Sequence, residues 1–317
     1  MKVVFIRGAD LDMKRTCNFV VAALKARSRM IDQKSLCGQI RALTETGLIK
    51  VAAYEGKDLA GLILLDTQKD EWQINPDILG GHPLIAPGHD VRAVSQNLLD
   101  AVDEYAREKG ARKLRLTAIR RPEECGDRAD HGFYEEKGYR NVLSYVEMNC
   151  KVEKNLPEPI DLPSGYSLKL LESTQPEELF PVYQAAFEHG EARFYFLQGE
   201  SERRDYFHTL GWDEAHPVTS HLIEWQAKPV AFSLVLPFSL RSYHISCMCV
   251  HPDHQRLRLG EAMLIHILRS ASAAGVPIIS LGTEPEMRAC CLYTKYGFEI
   301  RGGSSFYVKD LHHAAGL

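Results

Sequence analysis

The chain contains no Cys-x-x-Cys pair, so neither a zinc ribbon nor a thioredoxin-like redox site has support. Its eight cysteines are scattered, and the adjacent Cys290 and Cys291 are badly placed for an ordinary disulfide. They read as reduced, mostly buried thiols of a cytoplasmic protein. The 13 histidines show no metal-ligand spacing, so no metal is expected. Charge of one sign is also missing: 38 basic residues face 42 acidic ones, for a net charge of -4. A nucleic-acid partner would call for a basic excess, and none is expected. No apolar run approaches the roughly 18 residues of a membrane span, so no membrane partner is expected either. The apolar stretch at the N-terminus, Val3 to Ile6, is too short for a secretory signal and predicts a first strand.

What remains is an ordinary globular composition, 45% hydrophobic and 25% charged, over 317 residues. That length suits two domains of about 150 residues each. The sequence is in fact written twice. The run Pro87-Gly-His-Asp90 and the helical pattern after it recur, 165 residues on, as Pro252-Asp-His-Gln255 and its helix. Val94, Leu98, Val102 and Tyr105 fall on one helical face, as do Leu259, Met263, Ile267 and Ser270. Gly110 and Gly275 each precede an apolar strand. A second matched pair follows, Phe133-Tyr134-Glu-Glu-Lys-Gly138-Tyr139 and Leu292-Tyr293-Thr-Lys-Tyr-Gly297-Phe298. Upstream, strands are predicted at 49–54 and 59–65 in one half and at 221–225 and 229–236 in the other. Between the copies, residues 151–163 carry three prolines and several charges, which marks a linker.

In the second copy, an apolar strand ending at Val250 runs through His251-Pro252-Asp253-His254-Gln255-Arg256-Leu257-Arg258-Leu259-Gly260 into an amphipathic helix. A strand that turns into a helix start presents unpaired backbone N–H groups and the positive end of the helix dipole, a ready seat for a pyrophosphate. This stretch resembles the GCN5-related N-acetyltransferase superfamily, whose motif is Val-x-Pro followed by Gln/Arg-x-x-Gly-x-Gly/Ala and a helix. Val250, Pro252, Gln255 and Gly260 match, and Arg258 stands where the first glycine belongs. That arginine either crowds the loop or leans outward and adds charge to the phosphate site. Ala289-Cys-Cys-Leu292-Tyr293-Thr-Lys295-Tyr-Gly297-Phe298 is similar to the family's second landmark, with Glu286 in place of its usual asparagine.

The resemblance implies a mixed α/β fold class with two tandem acyl-CoA N-acyltransferase domains, each a mainly antiparallel mixed sheet flanked by helices. The implied division is 1–150 for a degenerate copy, 151–163 for the linker and 164–317 for the acetyltransferase domain. Acetyl-CoA is the implied cosubstrate, and an amine, expected to be that of a small molecule, is the implied acceptor. Met248, Cys249 and Val250 map onto the strand that holds the pantetheine arm, and Gln255, Arg256, Leu257, Arg258, Leu259, Gly260 and Glu261 onto the pyrophosphate loop. Tyr293 maps onto the general acid. His244, on the same strand face as Met248 and Val250, is the leading base, with Glu224 in reserve, unless a water chain replaces a single base. Cys247 and Cys249 fall on the opposite face, which disfavours an acyl-cysteine route. The aromatic and acidic stretch Glu188, Glu191, Phe194, Tyr195, Phe196, with Tyr206, Phe207, Trp212, Asp213 and Glu214 downstream, would suit a cationic amine. In the first copy Asp90, Val91, Ala93 and Ser95 replace Gln255, Arg256, Arg258 and Gly260, so that copy reads as silent. Two rival readings remain: a non-catalytic acyl-CoA-binding module and a protein-modifying acetyltransferase.

Overall fold

The computed structural model describes residues 1–7, 12–26, 36–38, 40–41, 48–67, 71–75, 82–120, 129–153, 155–171, 176–190, 192–239 and 241–311. It divides into two compact units, Met1–Ser144 with Ser304–Leu317, and Tyr145–Gly303. The first contains β1 (Lys2–Arg7), α1 (Met13–Ala26), β2 (Ile49–Glu55), β3 (Asp58–Asp66), β4 (Glu71–Ile74), β5 (Leu84–Ile85), α2 (Val91–Glu108), β6 (Lys113–Arg120), α3 (Ala129–Glu136) and the start of β7 (Arg140–Lys151). The second contains the rest of β7, then β8 (Tyr166–Leu170), α4 (Pro176–Glu188), α5 (Arg193–Phe196), α6 (Glu200–His208), β9 (His221–Trp225), β10 (Lys228–Ser239), β11 (Ser242–Val250), α7 (Leu259–Ala273), β12 (Ile278–Thr283), α8 (Arg288–Lys295) and the start of β13 (Glu299–Asp310). Cys125 and Glu191 lie outside the described residues.

The units are cut differently from the sequence-based division. β7 and β13 are each 12 residues long, about twice a typical strand, and each serves both units. Residues 146–151 of β7 pair antiparallel with β12 and so belong to the second unit. The last residues of β13 return to the first unit, where Tyr307 joins the core with Leu114, Tyr134 and Tyr139. A repeat search compares copies in chain order, so it has no way to see that exchange. The described residues of 152–163 carry no helix or strand.

Within the second unit the strand order is β8-β9-β10-β11-β12-β7, antiparallel except between β11 and β12. The tight turn between β9 and β10 uses Gln226 and Ala227, with φ of 52° and 62°, the left-handed pair that suits a two-residue hairpin. Side chains alternate across the sheet. Phe232, Leu234, Cys247 and Cys249 pack on one face with Tyr183 of α4 and Phe207 of α6. Ile223, Ala231, Met248 and Val250 pack on the other with Leu259 and Met263 of α7. Each β11 residue pair thus serves two layers, and burying either face keeps the register fixed. No helix among the described residues is long and apolar enough to cross a membrane.

His221 of β9 is only 2% exposed, its Nδ1 lacks a hydrogen-bond partner, and its ring lies 5.8 Å from that of His266 on α7. Burial, reinforced by His266, pulls its pKa from 6.5 to about 4. Between those values the folded state binds fewer protons than the unfolded one. Stability is therefore complete above about pH 6.5 and declines as the pH falls towards about 4, by up to about 3 kcal/mol. Urea unfolding at about pH 7.5 and about pH 4.5 should show that loss, and His221→Leu should reduce the difference between the two pH values.

Candidate active site

The site begins where two strands stop pairing. β11 and β12 run parallel and in register from Ser242↔Ile278 to Ile245↔Leu281, and no further. Just beyond, the ladder of β11 with β10 skips from Leu234↔Cys247 to Val235↔Ile245, which leaves Ser246 as an extra residue. Such a bulge bends a strand and increases its twist. The Ser246 hydroxyl donates to the Leu210 carbonyl at 2.8 Å and holds the bend. β11 and β12 then part, and the wedge between them is open.

One groove of about 410 Å³ enters this wedge. Its walls are Met248, Cys249 and Val250 of β11, the loop leading to α7, the first turn of α7, and Arg288, Ala289, Leu292 and Tyr293 of α8. The loop is shaped by short contacts. His254 Nδ1 and the Tyr166 hydroxyl lie 2.7 Å apart, and the Gln255 side-chain amide donates to the Val250 carbonyl at 3.2 Å. Arg256 and Arg258 both adopt φ of 62°, a conformation that costs an L-residue about 1–2 kcal/mol. α7 then starts without a side-chain cap. Ala262 N bonds Arg258 O at 2.9 Å, and the N–H groups of the three residues before it have no helical acceptor. A Cβ placed on Gly260 would meet only Val250 Cγ2, at 3.7 Å. The fold therefore has room for a side chain there, and that side chain would stand in the groove.

Of the residues predicted to hold the cosubstrate, nine line this groove and Leu257 does not; it is exposed. Arg258 does not crowd the loop. Its Nε donates to Glu261 Oε2 at 2.7 Å, and its side chain is 61% exposed. Glu261 also pairs with Lys295 and accepts from the Tyr296 hydroxyl at 2.6 Å. Arg258, then Lys295 and Tyr296, hold its carboxyl down at about 2.

A second cavity of about 210 Å³ lies deeper in the wedge. Tyr293 lines both spaces. Burial pushes its phenol above the ordinary tyrosine value, with the thiols of Cys247 and Cys290 adding to the effect, so it stays protonated. His244 lies at the narrow end, its Nδ1 3.0 Å from Ser280 Oγ, and burial lowers its pKa, so it is neutral near pH 7. Glu284, just past the end of β12, was not singled out from the sequence. It is buried and accepts the Phe194 N–H at 3.0 Å. Burial raises its pKa against the opposing pull of the Phe194 and Arg193 N–H groups. A carboxylate directly after a parallel strand was the available signal. The aromatic wall is Tyr145, Tyr183, Phe187, Phe194 and Tyr206.

The acidic stretch is thus only partly in place. Phe194 and Tyr206 reach the cavity, Tyr195 and Phe207 are core, and Glu188 is exposed, accepting from Gln184 at 2.9 Å. Trp212 packs on Phe207, to whose carbonyl its Nε1 donates at 2.7 Å, while Phe196, Asp213 and Glu214 are exposed. Glu224 is not brought to either space; its carboxylate pairs with Lys169 at 2.6 Å on the β8–β9 edge. Burial and the neighbouring Cys247 push the Cys249 thiol well above its ordinary value, the opposite of what a nucleophile needs. Among the described residues no group of three or more His, Cys, Asp or Glu is arranged to hold a metal.

In the first unit β4 and β6 also pair in parallel, from Glu71↔Lys113 to Ile74↔Leu116. Near the end of β6, His82 places Nδ1 2.5 Å from the Tyr134 hydroxyl and Nε2 3.1 Å from the Ile119 carbonyl. The helix start is closed. α2 begins at Val91, the counterpart of Arg256, so the left-handed loop of the second unit is here already helix. Asp90 caps it, accepting the Ala93 N–H at 3.0 Å.

Residues 178–298 match the acetyltransferase (GNAT) family model. No curated protein matches the chain in sequence. Among solved structures, a GCN5-related N-acetyltransferase from Sphaerobacter thermophilus superposes with a TM-score of 0.61 at 15% identity, over 99% of this chain and 98% of that one. A tandem GNAT protein from the clavulanic acid biosynthesis pathway gives 0.59 at 16% identity, over 99% and 100%. The glucosamine N-acetyltransferase region of a fungal multi-domain β-N-acetylglucosaminidase gives 0.58 at 14%, over 97% of this chain and 38% of that one. Both halves of the chain thus share the fold of these proteins.

The Asp90 cap has a measurable weight. Asp90→Ala should lower unfolding stability by about 1 kcal/mol, read from the urea midpoint of the first unit's core.

Proposed function

We propose that the second unit, in which residues 178–298 match the acetyltransferase (GNAT) family model, moves an acetyl group from acetyl-CoA to the amine of a small molecule. One observation carries the reading: Tyr293, with Met248 and Ala289, lines both the groove and the inner cavity, so a donor in one and an acceptor in the other would meet beside it. The groove fits the donor by its chemistry. An uncapped helix start offers N–H groups to a pyrophosphate, and Gly260 leaves the space a Cβ would take. Acetyl-CoA, when bound, supplies an activated thioester.

The chain's own groups supply the rest. Past Ile245, β11 has no partner on its β12 side, which leaves backbone groups of Met248 to Val250 to hold the pantetheine arm and polarise a carbonyl. His244, neutral by burial, takes the proton that the acceptor's ammonium must lose. Glu284 shares the cavity and is the second group able to receive it. Tyr293 donates its phenolic proton to the leaving sulfur. The inner cavity holds about seven waters' worth of space at roughly 30 Å³ each, which suits a small amine better than a peptide chain. Arg258 is held by Glu261 and does not block the groove it lines, which weighs against a non-catalytic module.

Calorimetric titration with acetyl-CoA should give one site per chain, because in the first unit Asp90 already takes a helix-start N–H and His82 is engaged by Tyr134 and the Ile119 carbonyl. Gly260→Glu should abolish that site while leaving the melting temperature near wild type. Two sites, or a site that survives the substitution, would place the cosubstrate elsewhere. A screen of small primary amines with acetyl-CoA then tests transfer. Tyr293→Phe should lower kcat by roughly 10² with acetyl-CoA affinity retained. The wild-type rate should fall only on the acid side, below the ordinary histidine value of 6.5, because burial holds the Tyr293 proton beyond its ordinary 10.

A further inference from the structure

The loop before α7 turns through two left-handed residues, Arg256 and Arg258, although neither is glycine. The first-glycine position of the motif falls on Arg258, where glycine would adopt this backbone freely. For an arginine the same conformation is disfavoured by roughly five- to thirtyfold in an equilibrium, so something local must hold it. Arg258 is the residue from which α7 starts, and its side chain makes no cap to the helix. It reaches instead to Glu261, in the first turn, at 2.7 Å.

Glu261 is not a mobile surface carboxylate. Its side chain is 10% exposed, and it is fixed from the far side by Lys295 and by the Tyr296 hydroxyl at 2.6 Å. Both partners sit at the C-terminal end of α8, the helix that also carries Tyr293. A carboxylate in the first turn of a helix is further favoured by the helix dipole. One carboxylate thus ties the disfavoured residue at the start of α7 to the end of α8, the two helices that wall the groove.

We propose that Glu261 is a positioning residue rather than a ligand of the cosubstrate: through Arg258 it holds the left-handed backbone that aims the first N–H groups of α7 into the groove. The guanidinium acts as the handle by which the backbone is held, and its charge is spent on Glu261. The inference rests on the reading that this groove takes acetyl-CoA, and it differs from that reading in what each substitution should do.

The experiment compares Arg258→Ala, Arg258→Gly, Glu261→Gln and the Glu261→Gln combinations with both, by calorimetry with acetyl-CoA and by thermal unfolding. Arg258→Ala keeps the disfavoured backbone and removes the handle, so its acetyl-CoA Kd should rise roughly tenfold. Arg258→Gly removes both, and should bind at least fivefold tighter than Arg258→Ala. Glu261→Gln should weaken binding in the wild type and have a smaller effect in the Arg258→Gly background, the non-additivity expected of groups acting together. Equal weakening by glycine and alanine would mean that the guanidinium itself holds the anion, and would overturn the proposal. So would an unchanged Kd in Glu261→Gln. If the wild type fails to bind acetyl-CoA, the cosubstrate reading falls. Melting temperatures then decide the positioning role alone. Arg258→Gly above Arg258→Ala, with the gap shrinking in the Glu261→Gln background, supports it, and a constant gap overturns it.

Discussion

Everything the second unit offers to chemistry depends on one interruption in a hydrogen-bond ladder. Strands β11 and β12 stay paired from Ser242 to Ile245 and then part. A parallel sheet buried on both faces normally leaves no such gap, because unpaired backbone groups away from water are costly. Here the bulge at Ser246 turns β11 away, and helices α7 and α8 flank the opening instead of closing it. The unpaired groups are tolerable in one circumstance, when a guest or water takes the place of the missing strand partner. The same wedge therefore explains why a binding groove exists and why it runs along backbone.

The first unit is arranged differently. Among its described residues the parallel pair β4–β6 runs to Ile74↔Leu116, and side chains of the chain itself stand close by. His82 has both ring nitrogens engaged, Tyr134 is thereby occupied, and α2 extends through the loop positions to a carboxylate cap. Asp90 has a double effect: it satisfies an N–H of the helix start and puts a negative charge where an anion would sit.

The groove was legible in the sequence where its chemistry is local. Val250, Pro252, Gln255 and Gly260 stood out by the strand, loop and helix order and by resemblance to the acetyltransferase motif, and Tyr293 by that resemblance. What was not legible depends on distant packing. Glu284 matters because α5 covers it and donates the Phe194 N–H, and no spacing rule anticipates that. Tyr145 reaches the cavity because β7 continues from one unit into the other. Glu224 looked available on an inner strand, yet the neighbouring edge strand β8 brings Lys169 against it. The direction taken by Arg258 hung on a partner three residues on, and the sequence offered that partner without saying how firmly Lys295 and Tyr296 would hold it.

Burial acts on the inner cavity in a single direction. It lowers the pKa of His244, raises that of Tyr293 and raises that of Glu284, each shift favouring the uncharged form. The same environment acts on a guest. An alkylammonium entering a space that penalises charge is pushed towards its neutral amine, and the neutral amine is the nucleophile that acyl transfer requires. The proton has somewhere to go, since His244 and Glu284 both line the cavity. The proton needed at the far end is already present, because the Tyr293 phenol holds it more firmly than in water. A thiolate leaving into the same desolvated space would have its own proton affinity raised by burial, so on the proposed reading the phenol is the proton source when sulfur departs. On the proposed reading the desolvated pocket favours opposite proton movements at its two ends, uptake from the acceptor and release to the donor, with His244 and Tyr293 both uncharged while they wait.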